Sequence, residues 1–254
     1  MMLKNRVYGW KPDLPDHRDI RYSAVYQRPK ELPKKVDLRP LCPPVENQEK
    51  LGSCTAHALT GALEFLEKKD KLPIVQMSRL FLYYNERAIE HTITIDGGAM
   101  IRDGIKSLVK QGVCTEDKWP YLIEKFQLKP TEVCYGDGLA HQVTSYQRID
   151  TLDEMRMCLA DGFPFVFGFT VYESFESPIV AETGKLNMPE QTERVLGGHA
   201  VLAVGYDDGT KQFIVRNSWG TGWGLKGYFT IPYDYLANHD LSRDMWTIRR
   251  GENI

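Results

Sequence analysis

The feature that most constrains this chain is a change of hydrophobic rhythm near residue 140. Before it, apolar residues recur every three or four positions; after it, they run in short β-branched and aromatic stretches between turn residues. Ala56, Leu59, Leu63 and Leu66 predict a helix from Ser53 with one buried face. Ser53 is its expected N-cap, and the run Glu67–Lys71 its expected solvated end. Two more helices are predicted, from Ser78 to Ile89 and along Ile101, Ile105, Leu108 and Val109 as far as Gly112. Thr151-Leu152-Asp153-Glu154 is a capping-box pattern opening a short helix. Strands are expected at Phe163–Tyr172, His199–Tyr206, Gln212–Arg216, Tyr228–Ile231 and Met245–Ile248, with Asp208-Gly209 turning a hairpin. The fold class is therefore α+β: a mainly helical lobe over about 45–139 and a mainly β lobe over about 140–254, meeting at a cleft.

The first 44 residues hold seven prolines, a density that forbids a long helix and predicts an extended leader lying across something else. With 254 residues and 42% hydrophobic content, the rest can bury a full core. The charges nearly cancel, 32 Lys+Arg against 34 Asp+Glu, so neither nucleic acid nor an anionic membrane is an expected partner. No apolar run approaches the ~18 residues needed to span a bilayer. Met1 to Arg6 has no apolar stretch behind it and so carries no secretory pattern as written; the compartment stays open. Monomer is the default, since no coiled-coil seam is readable.

Cys42, Cys54, Cys114, Cys134 and Cys158 are odd in number, so at least one thiol stays unpaired within a monomer. No C-x-x-C spacing or histidine pairing suggests a metal. Cys54 stands in the first helical turn, where the positive end of the macrodipole favours a thiolate. Gln48 lies six residues upstream, in a loop able to return its amide to the same point, and Gly52 permits close backbone approach. Gly198-His199 opens an apolar strand, and Asn217 ends the next one; antiparallel pairing brings imidazole and amide together, with Trp219 as a shield. A lone cysteine at a helix start is usually structural, so the reading depends on this conjunction. His57, one turn beyond Cys54, reads as a satisfied core histidine. Gly222 to Gly227 matches G-x-G-x-x-G, but a strand follows rather than a helix, which excludes a dinucleotide loop.

Asn47-Gln48-x-x-x-Gly52-Ser53-Cys54, Gly198-His199-Ala200 and Asn217-Ser218-Trp219-Gly220-x-Gly222-Trp223-Gly224 together resemble the papain-like cysteine peptidases, in the family's order and with His199 145 residues after Cys54. The resemblance covers roughly 32–254. It implies a papain-like two-lobe fold, with a helical lobe and a β-barrel-like lobe. It also implies that Asp96-Gly97-Gly98 is a substrate-backbone clamp with Gly98 at the P2 residue; Met100 could equally line that pocket or belong to the core. Leu51 stands where the family usually has a cysteine and Thr55 where it has tryptophan, which removes a common disulfide. Residues 1–31 contain no long helical pro-domain. Gly9 to Asp19 looks instead like the short N-terminal segment of some microbial members.

The expectation is a cysteine peptidase acting on a peptide or protein substrate, without metal or organic cofactor. Cys54 is its nucleophile, His199 its acid and base, Asn217 the orienting group and Gln48 an oxyanion donor. Gly52, Gly97, Gly98, Met100, Gly198 and Trp219 are the expected substrate contacts, and the leader is expected to lie over the cleft. Two alternatives stand beside it: a peptide-binding module without turnover, and an acyl transferase using the same residues.

Overall fold

A computed structural model describes residues 6–27 and 29–251. In chain order the strands are β1 (Trp10–Lys11), β2 (Lys35–Asp37), β3 (Ala99–Met100), β4 (Ser145–Ile149), β5 (Phe165–Tyr172), β6 (Val195–Asp207), β7 (Gln212–Arg216), β8 (Tyr228–Pro232) and β9 (Ser242–Arg249). The helices are α1 (Tyr22–Val25), α2 (Cys54–Lys69), α3 (Arg79–Ile89), α4 (Ile101–Lys110), α5 (Glu132–Gly138), α6 (Leu152–Ala160), α7 (Pro178–Thr183) and α8 (Tyr233–Ala237). The architecture is α+β as expected. The large sheet runs β4-β9-β5-β6-β7-β8 with β2 added to β6. Its strand pairs are antiparallel, and it stays open rather than closing into a barrel.

The two-residue period of β6 explains how the halves meet. Ala200, Leu202 and Val204 belong to the core shared with α2, α3 and α4, whereas Val201 and Ala203 belong to a second core with the phenylalanines of β5. One strand thus holds both lobes. Arg216 at the end of β7 is buried, and its guanidinium donates to the carbonyls of Pro43 and Pro44. This fork fixes the turn that leads into Gln48.

Helix α2 departs from the expected single buried face. Every residue from Cys54 to Glu67 is buried, because β6 covers one side and α3 and α4 cover others. The polar residues carried inside are paired, as buried polar groups must be. Glu64 meets Arg79 at 2.9 Å, Glu67 meets His141 at 2.7 Å, and the Thr55 hydroxyl donates to Glu86 at 2.7 Å. The expected solvated end therefore begins only after Glu67. Ser53 flanks the helix but caps it with no side-chain bond; its hydroxyl is engaged by Tyr121 at 2.6 Å. The capping box at Thr151 and Glu154 forms as read, and Ser78 caps α3 through the Phe81 N–H.

Candidate active site

Cys54 begins α2, completely buried, against the middle of β6. The Ala200 N–H points at its sulfur, 3.4 Å away. His199 is four residues inside β6 rather than at its start, because the strand extends back to Val195 to pair with β5. Register pairs Leu202 with Arg216, so Asn217 emerges beside this part of β6. The Ser218 N–H donates to Asn217 Oδ1 at 2.8 Å, which identifies that atom as oxygen. The same oxygen lies 2.8 Å from His199 Nε2, so Nε2 carries the proton and donates. Nδ1 is left as the basic nitrogen, buried and without a hydrogen-bond partner. Trp219 stacks on the imidazole, ring centroids 5.2 Å apart, and shields the histidine–asparagine bond.

Gln48 is placed by a short pairing of residues 46–48 with 218–220: Gln48 N–H donates to Ser218 O at 2.9 Å and Gly220 N–H to Glu46 O at 3.0 Å. Its Oε1 accepts from the Ser218 hydroxyl at 2.6 Å. Its Nε2 donates to Leu51 O at 2.9 Å and to Val7 O at 3.2 Å. The loops carrying Gly52 and Gly98 are joined without a disulfide. Asp96 accepts from the Gly52 N–H at 3.0 Å and from the Tyr83 hydroxyl, and that hydroxyl in turn accepts from the Gly98 N–H at 3.1 Å. Leu51 is buried, and all five cysteines are free. Gly97 lies beside Lys11, and the Met100 N–H donates to Glu90 at 2.7 Å.

The N-terminal segment crosses this constellation. Val7 takes a donor of the Gln48 amide. Gly9 passes so close to Gly52 that a methyl group on it would lie 1.8 Å from the Gly52 carbonyl oxygen. Ala99 N–H donates to Gly9 O at 2.7 Å, and β1 continues parallel to β3. The Trp10 indole fills a slot left by Gly168 and Gly198, where a side-chain carbon would penetrate the ring. Its N–H reaches Asp244 at 3.2 Å. Asp13 then hooks onto the body: its N–H donates to Asp244 at 2.8 Å, and its carboxylate accepts from Trp246 Nε1 at 2.8 Å and Arg102 N–H at 3.1 Å.

Covering the site reverses the expected electrostatics. Burial pushes the Cys54 thiol up to about 11, outweighing the N–H groups of Ala200 and Gly9 that favour a thiolate. Burial likewise lowers His199 to about 4, partly offset by the Asn217 bond. Both shifts favour the uncharged forms, thiol and imidazole, in this covered state. His57 is also buried, lowered to about 3 by desolvation, and bonded to Ser53 O at 2.9 Å, which makes it the satisfied core histidine that was expected.

Sequence reading brought together Gln48, Cys54, His199, Asn217 and Trp219. It missed Tyr83, Asp96 as a bridge, Ser218 as a partner of Gln48, Tyr121 and Asp244. Only Ser218 and Asp96 carried a signal, since both stand inside motifs already singled out.

Residues 32–245 match the family model described as papain family cysteine protease. A peptidase C1-like protein of Acanthamoeba polyphaga mimivirus is 41% identical, across 96% of this chain and 87% of its own length. A cathepsin B-like protein of Giardia intestinalis is 31% identical, across 79% of this chain and 69% of its own. Among solved structures, xylellain, a cysteine protease from Xylella fastidiosa, superposes with a TM-score of 0.87 at 42% identity, covering 96% of both chains. A papain-like fold carrying this match over most of its length places the protein: the chain belongs to the papain family of cysteine proteases.

Proposed function

We propose that the protein hydrolyses peptide bonds through a Cys54 acyl-enzyme and that its first 31 residues act as a leader restricting the cleft. The observation that carries the chemistry is the histidine tautomer. Because Asn217 holds the proton on Nε2, Nδ1 is the nitrogen free to take the proton of Cys54. The thiolate then attacks the substrate carbonyl. The resulting oxyanion lies between the Cys54 backbone N–H and Gln48 Nε2, a type of stabilisation worth about 3 kcal/mol per donor. Imidazolium Nδ1–H protonates the leaving amine, and a water deprotonated by the same nitrogen releases the acid. No step calls on a metal or an organic cofactor, and a monomer acting on a peptide or protein substrate contains every group required.

Supporting the leader's role is what it occupies: Val7 consumes the Gln48 donor, and Gly9 blocks the approach over Gly52. The test uses full-length protein, with Gly9→Ala chosen because the added methyl cannot coexist with the docked leader. Intact-mass labelling with a papain-type epoxide is expected to modify Gly9→Ala at least tenfold faster than wild type. Labelling should vanish in Gly9→Ala/Cys54→Ala and slow strongly in Gly9→Ala/His199→Ala. Equal labelling of wild type and Gly9→Ala removes the leader's role. No labelling and no peptide cleavage in either removes the peptidase reading and favours a silent binding module.

A further inference from the structure

Beyond Gly9, on the side away from β3, the leader presents two side chains to the body. The Tyr8 ring meets His199 edge-on at 5.9 Å and lies 6.3 Å from Trp219. It rests on Gly197, where a side-chain carbon would fall 2.8 Å from Tyr8 Cβ. Its hydroxyl donates to Glu176, which follows Phe175 in a short turn of helix packed under Trp219. The Arg6 guanidinium lies 4.4 Å over the Trp219 ring, where burial disfavours its charge and the Tyr8 and Glu176 oxygens offset this only in part. An aromatic hydroxyl thus meets a carboxylate beside an indole face that a guanidinium covers. Glu176's hydrogen-bond partner among the described residues, Tyr8, belongs to the leader.

We infer that Glu176, with the face of Trp219, is a specificity subsite for the leaving-group half of the substrate, selecting a side chain that ends in an O–H or N–H donor. This rests on the peptidase reading above. The side assignment follows from His199: it protonates the departing amine, so the surface continuous with its Trp219 stack faces the departing half. Selection follows from desolvation. A half-buried carboxylate among aromatic rings loses its hydration when the subsite fills, and an apolar side chain returns no hydrogen bond. Tyrosine restores one with its hydroxyl. Lysine or arginine restores one with a charge and adds a cation–π contact to Trp219.

The experiment is a competition between internally quenched peptides differing only at the first residue after the scissile bond, Tyr against Phe and Lys against norleucine, on full-length Gly9→Ala. The donor-bearing peptide of each pair is expected to win by about tenfold in kcat/KM, expressed mainly in KM. Glu176→Leu on that background is expected to bring both ratios near one. Glu176→Gln, which keeps an acceptor without charge, should reduce the Lys preference more than the Tyr preference. Glu173→Gln, in the same turn but paired with Arg194 at the surface, should leave both ratios in place. The ratios can also be read in the unaltered protein, because leader opening scales both competitors alike. Ratios near one with Glu176 intact, or ratios indifferent to Glu176→Leu, overturn the inference while leaving the peptidase. Failure of Gly9→Ala to label at Cys54 or to cleave any peptide removes the underlying reading as well.

Discussion

Ser218 donates its hydroxyl to Gln48 Oε1 at 2.6 Å, joining a loop before α2 to the segment after β7. The bond turns the other end of the amide, Nε2, toward the site. Ser218→Ala leaves Gln48 in place with one anchor fewer. We expect kcat to fall roughly three- to tenfold with KM nearly unchanged, on the scale of about 1 kcal/mol for a single hydrogen bond. Gln48→Ala removes the donor itself and should cost about 10²–10³ in kcat. Steady-state kinetics on the Gly9→Ala background measure both.

Asp96 performs, without a covalent bond, the joining of the Gly52 and Gly98 loops. Asp96→Ala strands the Gly52 N–H and the Tyr83 hydroxyl, which lose their shared acceptor. Stability should drop by about 1–3 kcal/mol, the range for leaving buried donors unpaired. KM should rise as Gly98 loosens. Thermal unfolding and peptide kinetics check the two parts separately.

The attachment of Asp13 to the body is expected to depend on pH. Asp13 faces Asp244 and Trp246 of β9 and Arg102 of α4, while Asp19 also binds Arg102 and Arg148, and Arg148 approaches Asp244 and Asp150. Desolvation and the Asp244 charge raise Asp13 to about 7 in the docked state, against an ordinary value of 3.8, and Asp244 is raised as well. A raised carboxyl means that the docked form holds the extra proton, so acid favours docking. Docking is expected to weaken as pH rises from about 4 to about 7 and to change little above. Hydrogen exchange of the Trp10, Lys11 and Asp13 amides, corrected for intrinsic rate, should show the shielding falling by more than tenfold across that window. Asp13→Asn should flatten the profile; shielding that grows with pH would contradict the account.

Tyr121 ties the loop before α2 to the helix itself: its hydroxyl pairs with Ser53 Oγ, donates to Gln48 O at 2.9 Å, and its ring meets His57 edge-on at 5.1 Å. Tyr121→Phe keeps the ring and removes the polar links. The expected loss is about 1 kcal/mol of stability, with a smaller fall in kcat than for Gln48→Ala. Denaturant unfolding and kinetics together separate a change in support from a change in the donor.

What the sequence determined by itself is local. The apolar spacing from Ala56 to Leu66 specifies a helix whatever covers it, and the stretches around His199 and Phe213 specify strands. Two strands joined by Asp208-Gly209 pair as a hairpin, so the nearness of His199 to Asn217 was legible. Tertiary structure decided the rest. That α2 is buried on all sides, including Glu64 and Glu67, depends on partners supplied by α3, β6 and residues near 141 and 250. The open sheet was decided by which strands stand at its edges. The partners of Trp10, Tyr8 and Gln48 lie 234, 168 and 170 residues away along the chain. Periodicity reports which face of an element is apolar, but it carries no address for what that face will meet. The covered, neutral thiol belongs to that second class: a helix N-terminus alone favours a thiolate, and only the chain folded over it withdraws the water that the charge requires.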